Sequence, residues 1–185
     1  MRNQRLLIMM EIAVLAAVAF VCSQVTLFRM PQGGAVSLVM APIALIALRR
    51  GWVAGVLTGL IVGEFNHLLG GYVVHPIQLL LDYPLAFAAL GLTGLMPLSG
   101  FDNQRSRIKA LWSALFVGAA GRLACHFVSG VVWFGEYAPA GTPVAVYSFL
   151  YNIAYLLPEM IIAGIMLTAV LSSAPQLLLA SRTSR

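Results

Sequence analysis

The sequence predicts an all-α integral membrane protein of six transmembrane helices, with the N- and C-termini cytoplasmic. Three observations carry that prediction. Of 185 residues, 61% are hydrophobic and only 9% charged, and the mean hydropathy of +0.92 lies far above that of soluble domains. The apolar residues fall into long runs separated by short polar or Gly/Pro-rich breaks. The basic residues collect in alternate breaks, as expected for a chain that crosses a bilayer repeatedly.

A helix needs about 20 residues to cross the hydrocarbon core, and residues 1–185 read as a single membrane domain. The first span covers about 6–28 and ends before the turn-forming Met30-Pro31-Gln32-Gly33-Gly34. A basic start followed by apolar residues resembles a signal peptide, but Glu11 interrupts the apolar part, so the segment reads as a retained helix. The second span, about 36–48, stops at Arg49-Arg50-Gly51; it is short and is expected to be tilted, broken or shielded. The third covers about 52–70 and ends at Gly70-Gly71. The fourth, about 76–97, opens on Pro76, where a missing N–H is harmless. After the polar stretch SGFDNQRSRIK comes the fifth, about 109–134; the loop GEYAPAGTP then leads to the sixth, about 144–171.

Charge orients the array. With the N-terminus cytoplasmic, Arg2, Arg5, Arg49, Arg50, Arg105, Arg107, Lys109, Arg182 and Arg185 all fall inside, while the loops 71–75 and 135–143 carry no Lys or Arg. Arg29 is the one basic residue on the outer side. The net charge of +5 is therefore a topology signal and no nucleic-acid footprint, because the cations lie singly or in pairs between apolar runs. Cys22 and Cys125 lie within apolar segments with neither metal-ligand nor disulfide spacing.

Polar residues inside the spans are the functional candidates, since an ionisable group in hydrocarbon is costly and faces the bundle interior or a wet cavity. They are Glu11, Glu64, Asn66, His67, Asp82, Arg122, His126, Asn152 and Glu159. Glu11 sits near the cytoplasmic end and is expected to serve structure. Glu64 and His67, three apart, can pair with each other or meet a ligand; Arg122 is expected to pair with an acid such as Glu159. On the fifth span, His126, Ser129, Gly130 and Trp133 follow i, i+3, i+4, i+7 and share a face, on which Gly130 leaves room. On the sixth, Ser148, Asn152, Tyr155 and Glu159 form a second polar stripe beside Tyr147 and Tyr151. An aromatic belt accounts for Tyr and Trp at a boundary, but not for His, Asn and Asp alongside them.

Aromatic rings around a buried carboxylate suit a small, flat cation: the rings offer stacking and cation–π attraction of about 0.5–2 kcal/mol each, and Asp82 balances its charge. Enzymatic chemistry finds no support, with neither a Gly-x-Ser-x-Gly nucleophile setting, nor an HExxH metal pair, nor a phosphate-binding P-loop.

The stretches MPQGGAVSLVMAPIALIALRRG, HPIQLLLDYPLAFAALGL and HFVSGVVWFGEYAPAGTPVAVYSFLYN together resemble the thiamine-specific substrate-binding (S) subunits of energy-coupling-factor (ECF) transporters, over about residues 8–175. The resemblance implies a multi-pass protein of a prokaryotic plasma membrane that captures thiamine from outside with high affinity. It also implies partners: a membrane coupling (T) subunit and two cytoplasmic ATPase subunits, with the S subunit toppling in the bilayer. By the same resemblance, Asp82 and Tyr83 face the ligand, His126, Gly130, Tyr147 and Asn152 belong to the site, and Trp133 or Phe134 stacks on the aminopyrimidine ring. Asp82 stands where some relatives have Glu, and RMPQGGAVS lacks a tryptophan that some carry in this loop. Ala13 and Ala17, four apart on the first span, match the family's AxxxA contact with the coupling subunit. Two other readings remain at this point: an S subunit for a different vitamin, and a small proton-coupled exporter of organic cations in which Glu11 or Asp82 carries the proton.

Overall fold

The computed structural model describes residues 2–179, and for Arg2 the backbone alone; Arg182 and Arg185 lie outside the described residues. Helix α1 (Arg2–Gln24) leads into a hairpin of β1 (Thr26–Arg29) and β2 (Ala35–Ser37), followed by α2 (Met40–Arg50) and α3 (Trp52–Leu68). The next membrane segment is composite: α4 (Pro76–Leu80), a π-helical turn (Leu81–Leu85), α5 (Ala86–Leu90) and a 3-10 turn (Gly91–Leu95). Two long helices, α6 (Gln104–Trp133) and α7 (Val144–Ser173), complete the bundle and pack against each other along their lengths.

Among the described residues, one short antiparallel hairpin is the only strand structure. Two expected boundaries move because of it. Residues 26–28 leave the expected first span and 36–37 the second, as Thr26–Arg29 and Ala35–Ser37 pair across the Met30–Gly34 turn with Phe28 opposite Val36. Gly33 adopts φ +95°, a conformation that favours glycine, and Met30 N–H donates to Gly34 O at 2.7 Å. Four segments among the described residues are long and apolar enough to cross a membrane: Asn3–Gln24, Pro76–Gly100, Gln104–Trp133 and Val144–Ser173. Helix α2, with 11 residues, rises only about 16 Å. Most of its length, from Met40 to Ala44 and from Ile46 to Leu48, is buried, so protein and not lipid surrounds it.

The two ends of the bundle differ. Toward the end where α1 begins and α7 finishes, Met40, Ile43, Leu90, Leu111, Leu115, Leu167 and Leu171 form a close-packed apolar core. Glu11 reaches both Arg49 and Arg50 there, at 3.3 and 2.5 Å, and Arg49 donates to the carbonyls of Gln176 and Leu177. Glu11 therefore ties α1 to the end of α2, a structural part. Toward the opposite end the buried residues turn polar, with Gln78, Ser129, Ser148 and Asn152 in the interior. Outward faces carry Leu6, Met9, Val14, Phe116 and Ile165, the apolar exposure expected against acyl chains.

Candidate ligand-binding cavity

The π-helical turn is the first determinant of the site. Pro84 has no N–H to donate to the preceding turn, and its ring crowds the carbonyl behind it. The helix widens over Leu81–Leu85 to accommodate it, as π-turns do at functional positions. Asp82 stands on that turn. On the other side, the turn packs closely on α3, where a Cβ at Gly63 would press on the backbone of Tyr83 and Pro84.

Asp82 has three polar partners. Gln78 Nε2 donates to Oδ2 at 2.7 Å, Ser129 Oγ donates to Oδ2 at 2.8 Å, and His126 Nδ1 lies 3.1 Å from Oδ1. These bonds make the carboxylate tolerable at membrane depth. Gln78 also donates to Tyr72 O and accepts from Val74 N–H, and Tyr83 Oη accepts from Tyr72 N–H at 2.7 Å, so the loop 69–75 is pinned over the same segment. A second network begins at Arg122, whose Nη1 lies 3.2 Å from Glu159 Oε2 and whose Nε donates to His126 Nε2 at 3.3 Å. Glu159 also accepts from Ser37 Oγ, tying β2 to α7. The expected Arg122–Glu159 pair is therefore present and buried, with Arg122 stacked on the Phe87 ring at 4.5 Å.

These groups surround a cavity of about 500 Å³ at the polar end of the bundle. Asp82, Tyr83, His126, Gly130, Phe134, Tyr147 and Asn152 all line it. Trp133 does not: its ring stacks on His75 at 5.2 Å and 24°, while Phe134, one residue on, turns toward the cavity beside Tyr72. Trp133 is the last residue of α6, and Phe134, its C-cap at φ −120° and ψ 17°, leaves the helical path. Gly130 also differs from expectation. Its face is already filled, since a Cβ there would collide with Ser148 Oγ, so Gly130 permits α6 and α7 to touch. The amide of Asn152 is committed within the protein: Nδ2 donates to Ser148 O at 2.8 Å, and Oδ1 accepts from Tyr155 Oη at 2.8 Å.

The turn of the hairpin also contributes to the wall, through Gln32, Gly33 and Gly34, with Gly34 N–H donating to Tyr151 Oη at 3.0 Å. Glu64 and His67 pair with each other at 3.4 Å outside the cavity wall. Asn66 does line it, hydrogen-bonded to Ser23 and Gln24 from α1. Ala13 and Ala17 are exposed on the outer face of α1. Sequence reasoning missed Gln78, Ser37 and Tyr72. Gln78 had a findable signal, four residues before Asp82 and so on the same helical face; Tyr72, in a loop, had none.

The sequence matches the model of the thiamine transporter protein family over residues 9–179. The chain belongs to this family. It is 42% identical over 185 residues to the thiamine transporter ThiT of Bacillus subtilis, an alignment covering 96% of each chain. It is 32% identical over 193 residues to ThiT of Lacticaseibacillus paracasei, covering 97% of this chain and 94% of that one. The fold superposes on the structure of ThiT from Listeria monocytogenes with a TM-score of 0.86 at 32% identity, over 95% of this chain and 99% of that one. As a member of the thiamine transporter family, the chain is a multi-pass plasma-membrane transporter of a prokaryote and not an enzyme.

Proposed function

We propose that this chain is the high-affinity thiamine-binding subunit of an ATP-driven ECF importer, taking thiamine from outside and delivering it with a T subunit and two cytoplasmic ATPases. The observation that carries the reading is Asp82, a carboxylate held by three donors on the wall of an aromatic cavity. Such a group gains most from a ligand that brings one positive charge and flat rings. Tyr83, Phe134 and Tyr147 supply the stacking faces, and Phe134 takes the role for which Trp133 was the other candidate. His126, Gly130 and Asn152 shape the wall behind the ligand, which favours thiamine over an uncharged vitamin.

Six helices span the bilayer in this reading, with α2 as a half-length element enclosed by its neighbours. Both termini are cytoplasmic, supported by Arg49, Arg50, Arg105, Arg107 and Lys109 at one end and by loops without Lys or Arg at the other. The cavity then opens outward. Ala13 and Ala17 offer the flat patch on which the T subunit packs.

Reconstitution tests the assembly. The purified chain alone in liposomes is expected to bind thiamine without accumulating it, and ATP-dependent uptake is expected only when T and ATPase subunits are added. Accumulation by the chain alone under a pH gradient would favour proton-coupled transport instead.

A further inference from the structure

A buried arginine in the wall of a cavity suited to a cation is unexpected. We propose that Arg122 is a specificity-determining positioning residue: it fixes the tautomer of His126 and so preserves Asp82 as an uncancelled countercharge for a monocation. The proposal rests on the cation-binding reading given above.

The hydrogen-bond inventory leaves one solution. A guanidinium carries N–H donors and no acceptor. His126 Nε2, which receives Arg122 Nε–H at 3.3 Å, must therefore present a lone pair. An ionised carboxylate has only acceptors, so His126 Nδ1, 3.1 Å from Asp82 Oδ1, must carry the hydrogen. The neutral Nδ1–H imidazole satisfies both neighbours. Protonation would set an N–H against the Arg122 N–H and a second positive charge beside the guanidinium.

The rest of the surroundings fit. Glu159 neutralises Arg122 at 3.2 Å, so the guanidinium does not itself cancel the Asp82 charge. The other group facing His126 is Tyr155 on α7, ring to ring at 6.2 Å. Among the described residues, the charged groups that meet it are Asp82 from the π-turn and Arg122 on its own helix. Without Arg122 in place, His126 is free to become an imidazolium paired with Asp82. That internal ion pair would cancel the countercharge and compete directly with a cationic ligand. Arg122 thus excludes a competitor without touching the ligand's charge itself.

The test compares wild type with the double variant Arg122→Met/Glu159→Gln, which removes both members of the buried pair together and leaves no lone charge. Thiamine affinity is measured at pH 7.5 and 5.5, and ¹⁵N spectra of histidine-labelled, ligand-free wild type report the His126 tautomer, assigned with His126→Gln. Wild type is expected to change affinity less than twofold between the two pH values and to show the neutral Nδ1–H form at both. In the double variant, an imidazole relieved of the Arg122 donor and charge can take up a second proton beside Asp82, so binding at pH 5.5 should be about tenfold weaker than at pH 7.5. An equal pH response in both proteins, or an imidazolium or Nε2–H signal in wild type at pH 5.5, overturns the proposal. If wild type binds no thiamine, the cation-binding reading falls, while the ¹⁵N spectrum still decides the Arg122–His126 arrangement. It also decides it should the double variant fail to fold.

Discussion

Asp82 shows how an expensive residue is made affordable in one position only. Its three partners come from two elements, Gln78 on α4 and Ser129 and His126 on α6. Gln78 is fully buried and serves both the carboxylate and the 69–75 loop. Gln78→Leu removes one donor to Asp82 and one acceptor for Val74 N–H, so it should lower stability by about 1–3 kcal/mol and weaken ligand binding; thermal unfolding in detergent with and without thiamine checks both effects. Glu159→Gln leaves the Arg122 guanidinium buried without its ion-pair partner, and a loss of about 3–5 kcal/mol is expected in the same assay. An unchanged melting temperature would show that Arg122 finds other solvation. Much of the cavity lining was legible at this scale: Asp82, His126, Gly130 and Asn152 stood out as polar or small residues in apolar runs, and Tyr83 followed from the family resemblance. Their bonds were not. Asn152 could have offered its amide to a ligand, and only the contacts with Ser148 and Tyr155 show that it is already engaged.

At the scale of elements, position depends on departures from regular helix. Pro84 widens the fourth segment, and the π-turn sets the direction of Asp82 relative to α6. Pro84→Ala removes the cause. A regular α-helix turns about 100° per residue, so its formation would rotate Asp82 away from Ser129 and His126. Binding is then expected to fall at least tenfold while the bundle still folds, with about 1–3 kcal/mol of stability lost from the carboxylate's missing donors; calorimetry and thermal unfolding together check both. At the α6–α7 contact, Gly130→Ala should collide with Ser148 Oγ, and Gly130→Ala/Ser148→Gly should recover much of the loss; additivity of the two changes would contradict direct coupling. Four of the six expected spans recur as helical segments long and apolar enough to cross, readable from apolar runs because lipid imposes length and composition together. The hairpin was not readable. TLFR and AVS are short and apolar enough to extend a helix, and their pairing depends on the Met30–Gly34 turn. The choice between Trp133 and Phe134 was not readable either: it depends on the chain leaving the helical path at Phe134, which turns that ring and not Trp133 toward the cavity.

Across the whole molecule, a dry, close-packed end and a wet, aromatic-lined end divide the work. The apolar core around α2 anchors the bundle, and the Glu11–Arg49–Arg50 cluster locks α1 to it. The polar half holds a cavity of about 500 Å³ whose wall carries the half-buried Asp82 carboxylate beside the Arg122–Glu159 pair, with the exposed Arg29 also in its lining. The central claim is that the Asp82 charge binds the thiamine cation. Calorimetric titration of the purified protein with thiamine tests it most directly, with Asp82→Asn as the paired variant. The account predicts saturation of wild type at submicromolar thiamine and a loss of about 2–3 kcal/mol in the variant, roughly 30- to 150-fold in Kd. Equal affinity in the two proteins, or no binding by wild type, would contradict it.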